Sequence, residues 1–156
     1  MSAEPATLLD LLRKTRFAES IAEGHVQRLS GVARLRRVAA GAVLFREGDI
    51  EDDIFVISVG QIRLSMNVPG RGDVAFLTTG TGELVGWSGL VSDGRMTATA
   101  TALDDTTLIA MSGQKLRDLC SSEHDLGNVL FQRVAQVLSK RLLSTRLQLL
   151  DLFEEG

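Results

Sequence analysis

The sequence predicts an α+β fold, mainly β: a sandwich or barrel of seven or more short strands, with short helices before it and one long helix after it. Three observations carry this. Across residues 32–112 the apolar side chains alternate or come in short runs, punctuated by Gly, Asp and Pro. On either side of that stretch they recur at three and four residues, the period of a helix. Fifteen glycines against two prolines in 156 residues point to many tight turns.

Each element follows in turn. Thr7 is placed to cap a first helix, "LLDLLRK", whose stripe is Leu8, Leu9, Leu11 and Leu12. Ile21, Val26 and Leu29 predict a second helix over residues 18–29. The period then changes. "VARLRRVA" and "AVLFREG" are strands parted by Gly41, and "DDIFVISVG" is a β-branched and aromatic run. "QIRLSMN" alternates Ile62, Leu64 and Met66 with Arg63, Ser65 and Asn67, and "DVAFLTT" follows the turn "VPGRG". "RMTATATA", opened by Arg95, alternates Thr with Ala, and "TTLIAMS" follows the Asp104-Asp105 turn. Ser112 is a cap for the short helix "SGQKLRDLC", and from His124 one long helix runs almost to Gly156. The expected organisation is a single domain over 1–156: a helical segment 1–31, β structure 32–112 and C-terminal helices 113–156.

Composition narrows the function. A net charge of −3 provides no basic footprint for nucleic acid or an anionic membrane. No apolar run approaches the roughly 18 residues that span a bilayer, and a signal-peptide layout is absent, so a cytoplasmic location and no membrane partner are expected. Cys120 is the sole cysteine and reads either as a redox sensor or as a small buried apolar residue. His25 and His124 lie outside the strands at no metal-site spacing. The carboxylates Glu51, Asp52 and Asp53, like Asp104 and Asp105, fall in expected turns and read as solvated punctuation. No nucleophile stands at motif spacing from a base and no Walker-type loop occurs, so no catalytic residue, metal or enzyme activity is assigned. Arg34, Arg36 and Arg37 read as an exposed strand edge or as a docking face for an acidic protein partner.

The long helix carries a second signal. Phe131, Ala135, Leu138, Leu142, Thr145, Leu149 and Leu152 are spaced 4-3-4-3-4-3, a heptad seam. Leu130, Val134 and Val137 form a second stripe over the first half only. One stripe can face the strands while the other meets a second copy, so a homodimer through this helix is expected.

"LFREGDIEDDIFVISVGQIRL" (residues 44–64), with Gly48, Asp52, Phe55 and Gly60, resembles the cyclic-nucleotide-binding domain of the catabolite activator and fumarate–nitrate regulator superfamily. The likeness continues through "GTGELVGWSGL" and "TATATALDDTTLIAMS" into the long helix. It implies an eight-stranded double-sheet jelly roll with short N-terminal helices and a long C-terminal helix, and a regulatory role. It also implies a ligand site, which here falls on Gly86, Trp87, Ser88, Gly89, Leu90, Arg95, Met96, Thr97 and Thr145. In the family, backbone N–H groups of a short helix meet the cyclic phosphate, an arginine opening the next strand pairs with it, and a glutamate after the cassette glycine takes the ribose. A Ser or Thr of the long helix reaches the base.

This sequence departs from that pattern. Trp87 stands where the glutamate belongs and Met96 where the arginine does, with Thr97 and Ala98 following. Arg95 is one residue early, so alternation aims it away from the pocket unless a bulge at Gly94 turns it back. Glu83, three residues before Gly86, does not replace the missing carboxylate. Two lost charge-assisted hydrogen bonds remove about 3–6 kcal/mol, roughly a hundred- to ten-thousandfold in affinity. Weak or no cAMP or cGMP binding is therefore expected. Trp87 reads as a stacking face or as a plug, Met96 as core filler, and Thr145 as a base contact or a polar interruption of the seam. The function expected is a regulatory ligand-sensing module without a resident cofactor. The alternatives are a sensor of a non-nucleotide small molecule and a ligand-free dimeric protein-interaction module. The chain closes on the acidic "DLFEEG" without a recognition helix, so no direct DNA binding is expected.

Overall fold

In the structure, a computed structural model that describes residues 7–154, two four-stranded antiparallel sheets face each other and helices cover the outside of one. Helices α1 (Leu8–Arg13) and α2 (Glu23–Ser30) precede β1 (Ala33–Val38), β2 (Val43–Phe45), β3 (Asp53–Val59), β4 (Gln61–Val68), β5 (Gly72–Gly80) and β6 (Leu84–Val85). Then come α3 (Ser88–Val91), β7 (Thr99–Ala102), β8 (Thr106–Ser112), α4 (Gly113–Ser122) and α5 (His124–Glu154). One sheet runs β1-β8-β3-β6 and the other β2-β7-β4-β5. The ends of the expected single domain, residues 1–6 and 155–156, lie outside the described residues.

The layering follows from alternation. Along β3, Phe55 and Ile57 enter the core between the sheets, whereas Ile54 and Val56 enter a second core beneath the helices. Its neighbour β8 does the same, with Leu108 and Ala110 on one face and Ile109 and Met111 on the other. Strands covered on both faces need apolar residues at every position, which is why "IFVI" is unbroken. The second sheet has one core: Ala100 and Ala102 of β7 point inward against Ile62 and Leu64, leaving the threonines outward. The Thr7 side chain accepts from Asp10 N at 3.1 Å and the Ser112 hydroxyl from Lys115 N at 3.3 Å, capping α1 and α4.

Three expectations are corrected. Residues 18–29 are not one helix: α2 begins only at Glu23, and Ser20 takes a left-handed φ of 74°. Phe17 and Ala18 are buried instead, Phe17 N donates to Gly82 O at 3.0 Å, and Arg133 Nε donates to Phe17 O at 2.9 Å. Tertiary partners outcompete the helical ones. The strand expected to open at Arg95 starts at Thr99, and Arg95 makes only an isolated bridge to Ile50. Asp53 is a buried strand residue rather than a solvated turn. Arg34 pairs with it through both carboxylate oxygens, and Arg36 reaches Glu51 at 2.7 Å; β1 is the edge strand expected, with Arg34 and Arg37 exposed, and two of its arginines hold these carboxylates. Ala110 stands opposite both Arg34 and Phe55, and Leu108 opposite Arg36.

Candidate functional site

The segment that enters the site leaves β6 at Gly86, whose φ of +73° only glycine adopts without strain. A Cβ there would meet the rings of Phe45 at 3.1 Å and Phe55 at 3.3 Å. Those rings, centroids 6.2 Å apart, form the floor under the turn. Helix α3 follows, closed by Leu90 N donating to Trp87 O at 2.9 Å. Its back is pressed onto the protein: a Cβ on Gly89 would lie 2.0 Å from Asp52 O, and one on Gly113 would lie 2.1 Å from Gly89 O. Arg117 Nη1 donates to the same Gly89 carbonyl. Gly89→Ala should therefore cost about 2 kcal/mol by forcing α3 off this seat; a denaturant midpoint equal to that of the native protein would contradict the packing.

The front of the turn holds little space. Met96 is 3% exposed and Phe45 6%, and with Gly86, Trp87, Ser88 and Thr97 they leave a void of about 30 Å³. That is roughly the volume of one water. Arg95 is exposed and its guanidinium donates to Gly48 O at 3.1 Å. Gly94 has φ +85°, yet the segment pairs with the preceding turn, Met96 N donating to Asp49 O and Gly48 N to Met96 O, both at 2.8 Å. Neighbouring side chains thus go opposite ways, methionine in and arginine out.

A larger cavity, about 300 Å³, lies beside this void, between the overhanging β4–β5 hairpin and α5. Leu64, Met66, Phe76 and Leu77 form its sheet wall, Leu138, Leu142, Ser144, Thr145 and Gln148 its helix wall, and Trp87 and Arg141 its inner end. The Arg141 guanidinium stacks on the indole, Cζ 4.9 Å from the ring centroid, a cation–π contact. Arg141 Nη2 donates to Leu84 O, while Nη1 is shielded from solvent and has no partner among the described residues. Burial pushes this guanidinium below its usual pKa, and Glu83 only partly offsets that. The Thr145 hydroxyl donates to Arg141 O at 2.8 Å, leaving its oxygen able to accept.

The residues singled out from sequence therefore separate. Gly86, Trp87, Ser88, Met96 and Thr97 surround the small void; Trp87, Thr97 and Thr145 reach the large cavity. Gly89 and Leu90 face the protein interior, and Arg95 lies outside. Sequence reasoning missed Arg141, Met66 and Phe76. The signal for Arg141 was available: it stands three residues after Leu138 and four before Thr145, on the same helix face.

Along α5, Leu126, Leu130 and Val134 are buried against the helix-side core. Phe131, Leu142, Leu149 and Leu152 are 42%, 53%, 54% and 67% exposed, Ala135 and Thr145 are exposed, and Leu138 is half-buried. Leu143, Leu147, Leu150 and Phe153 add more than half-exposed apolar surface beside them. Burial raises the Cys120 thiol pKa, the opposite of what a reactive thiolate needs. Among the described residues no helix is long and apolar enough to cross a membrane, and no group of three His, Cys, Asp or Glu is placed to hold a metal ion.

With this geometry in place, comparison with known proteins is informative. Residues 35–123 match the family described as cyclic nucleotide-binding domain, more than half of the chain. The cyclic AMP receptor protein of Thermus thermophilus is 28% identical over 100 residues, 62% of this chain and 46% of that protein. The chain thus spans about half the length of this curated relative. The N-terminal domain of a transcriptional regulator from Streptomyces coelicolor is similar at 27% identity and TM-score 0.70, covering 85% of this chain and 92% of that one. A cyclic nucleotide-binding domain from Methylobacillus flagellatus, at 22% identity, shares the fold at TM-score 0.80 over 93% of this chain and 82% of its own.

Proposed function

This chain belongs to the cyclic nucleotide-binding domain family, a family of regulatory, non-catalytic modules related to the sensor domains of catabolite-activator-type regulators, and we propose that it senses a small molecule other than a cyclic nucleotide. The observation that carries this reading is the pair of cavities: the cassette void is water-sized, while an apolar cavity of about 300 Å³ stands open beside it. The second volume falls at the lower end of small-molecule sites, about 300–1,000 Å³. A cyclic phosphate would have to displace Met96 and Phe45, and would find neither an arginine nor a carboxylate facing it.

Output runs through α5. One helix supplies both a wall of the cavity and the exposed seam from Phe131 to Leu152, so a ligand touching Leu138, Leu142 and Thr145 acts on the surface that joins two copies. A ligand shifts that pairing only by binding one arrangement better than the other.

Calorimetric titration with cyclic AMP and cyclic GMP tests the first half of this reading. No saturable heat is expected up to millimolar nucleotide, and Arg95→Ala should change nothing. Micromolar binding that Arg95→Ala abolishes would overturn it. The filled cassette also favours a second reading, a ligand-free dimeric interaction module. That reading fails as soon as any small molecule binds the large cavity saturably.

A further inference from the structure

We propose that the chain carries a second binding site, for a phosphate monoester, in the cleft between residues 16–20 and the middle of α5, where Arg16, Arg133 and Lys140 converge. It goes beyond the sensor reading above and does not depend on it.

The turn that stands in place of the first part of the expected second helix makes the cleft. Phe17 and Ala18 are drawn into the core, while Arg16, Glu19 and Ser20 stay exposed. Ser20 is the one non-glycine residue with positive φ among the described residues, a conformation sparsely populated by residues with a Cβ. Between this turn and α5 lies a hollow of about 270 Å³, lined by Arg16, Glu19, Ser20, Arg133 and Lys140. No apolar residue contributes to it, so burial of apolar area gives a ligand nothing and charge must recognise it. A recess of about 120 Å³ adjoins the hollow, shares its three cations and runs toward Gly82 and Leu84.

The positive charge in this cleft is uncompensated. None of Arg16, Arg133 and Lys140 forms an ion pair among the described residues. Arg133 is fixed without being neutralised: Nε donates to Phe17 O at 2.9 Å, Nη1 to Gln136 Oε1 at 3.1 Å and Nη2 to Arg16 O, all uncharged acceptors. Arg16 and Lys140 are exposed, and their side chains have no hydrogen-bond partner among the described residues. Two carboxylates border the cleft. Glu83 accepts from Gly80 N at 3.4 Å, and Glu19 stands on the turn itself. With Arg141 on the wall of the recess, four cations face two carboxylates, a surplus of two charges in a chain of net charge −3.

A phosphate monoester carries about −1.5 to −2 at neutral pH on three acceptor oxygens, which matches that surplus. A carboxylate or a cyclic phosphodiester brings a single charge and leaves part of it unanswered. The cleft also stays open when two copies pair. At about 100° per residue, Arg133 and Lys140 lie roughly 200° around α5 from the seam residues Phe131 and Leu142. An anion held there ties the turn to the helix that carries the seam.

Methyl phosphate and dimethyl phosphate, similar groups that differ by one charge, are titrated into the native protein at fixed ionic strength, with amide NMR shifts of residues 16–20 and 133–140 followed. The monoester should saturate these shifts and bind about tenfold more tightly than the diester, the least that one charge-assisted hydrogen bond provides. Arg16→Gln and Lys140→Gln, at exposed side chains, should each weaken the monoester by a similar factor with circular dichroism unchanged. Equal affinity for monoester and diester, shifts confined to other parts of the protein, or full binding in both variants would overturn the site. Inorganic phosphate should bind no more tightly than methyl phosphate; tighter binding of the free ion would overturn the ester assignment. None of these outcomes bears on the large cavity, so the sensor reading stands or falls separately.

Discussion

Replacing Leu149 and Leu152 together by glutamate should leave the protein folded and turn a dimer into a monomer. Both side chains lie on the outer seam of α5, 54% and 67% exposed on their own chain, and neither borders the large cavity. Their loss therefore removes almost no contact within the protomer, and surface changes of that kind usually stay within about 0.5 kcal/mol. In a paired seam the same positions are buried a/d knobs. Two carboxylates per copy would then face apolar partners, and an unpaired buried charge costs several kcal/mol. A total near 4 kcal/mol would weaken association about a thousandfold. Sedimentation velocity at micromolar protein, with circular dichroism alongside, reads both quantities. A native protein that sediments as a monomer, or a variant that still sediments as a dimer, would remove the seam as the pairing surface. The inner stripe makes a useful contrast: Leu130→Glu strikes a residue with 0% exposure and should unfold the helix-side core rather than change oligomeric state.

The long helix and most of the strands were legible because each is a local period. Alternation over "TATA" survives into the structure since that strand has one buried and one open face, whereas over "QIRLSMN" it holds only as far as Leu64: past an irregularity in the β4–β5 register, Ser65 is buried and Met66 is 41% exposed. The same rule separates Met96 from Arg95, one inside and one outside, whatever the chain does around Gly94. What escaped was every partnership that depends on distance along the chain. Arg34 and Asp53 meet across β8, nineteen residues apart, so a basic run and an acidic turn looked like two surfaces when they are one ion pair. Trp87 reads as a stacking face or a plug until Arg141, on the long helix, is seen to lie over it. The helix expected across residues 18–29 failed for a related reason. Its apolar spacing is real, but Phe17 is needed in the core and its backbone is needed by Gly82 and Arg133.

Phe55→Ala should be the most destabilising single truncation, at about 3–5 kcal/mol. Phe55 has 0% exposure, packs on Phe45, and supports the turn at Gly86 from below. The Arg36 guanidinium also rests over its ring, 5.3 Å from the centroid, so the aromatic face links the core between the sheets to the ion pairs at β1. Removing the ring takes away the transfer term and leaves a cavity that the surrounding strands, hydrogen-bonded on both sides, cannot close. For a domain whose net stability is typically about 5–15 kcal/mol, that is a large share. Phe55→Leu keeps most of the volume and should cost clearly less. Urea midpoints at constant slope give the ranking, and a loss below about 1 kcal/mol for alanine would mean the floor of the cassette is not packed as described. The cavity has a second readout. It opens beside Phe45 and Gly86, next to the water-sized void, and an apolar cavity of that kind stays dry and takes small neutral aromatics. Benzene should therefore raise the melting temperature of Phe55→Ala by more than it raises the native protein's, because in the native chain Phe55, Phe45 and Met96 already fill the space that the truncation opens.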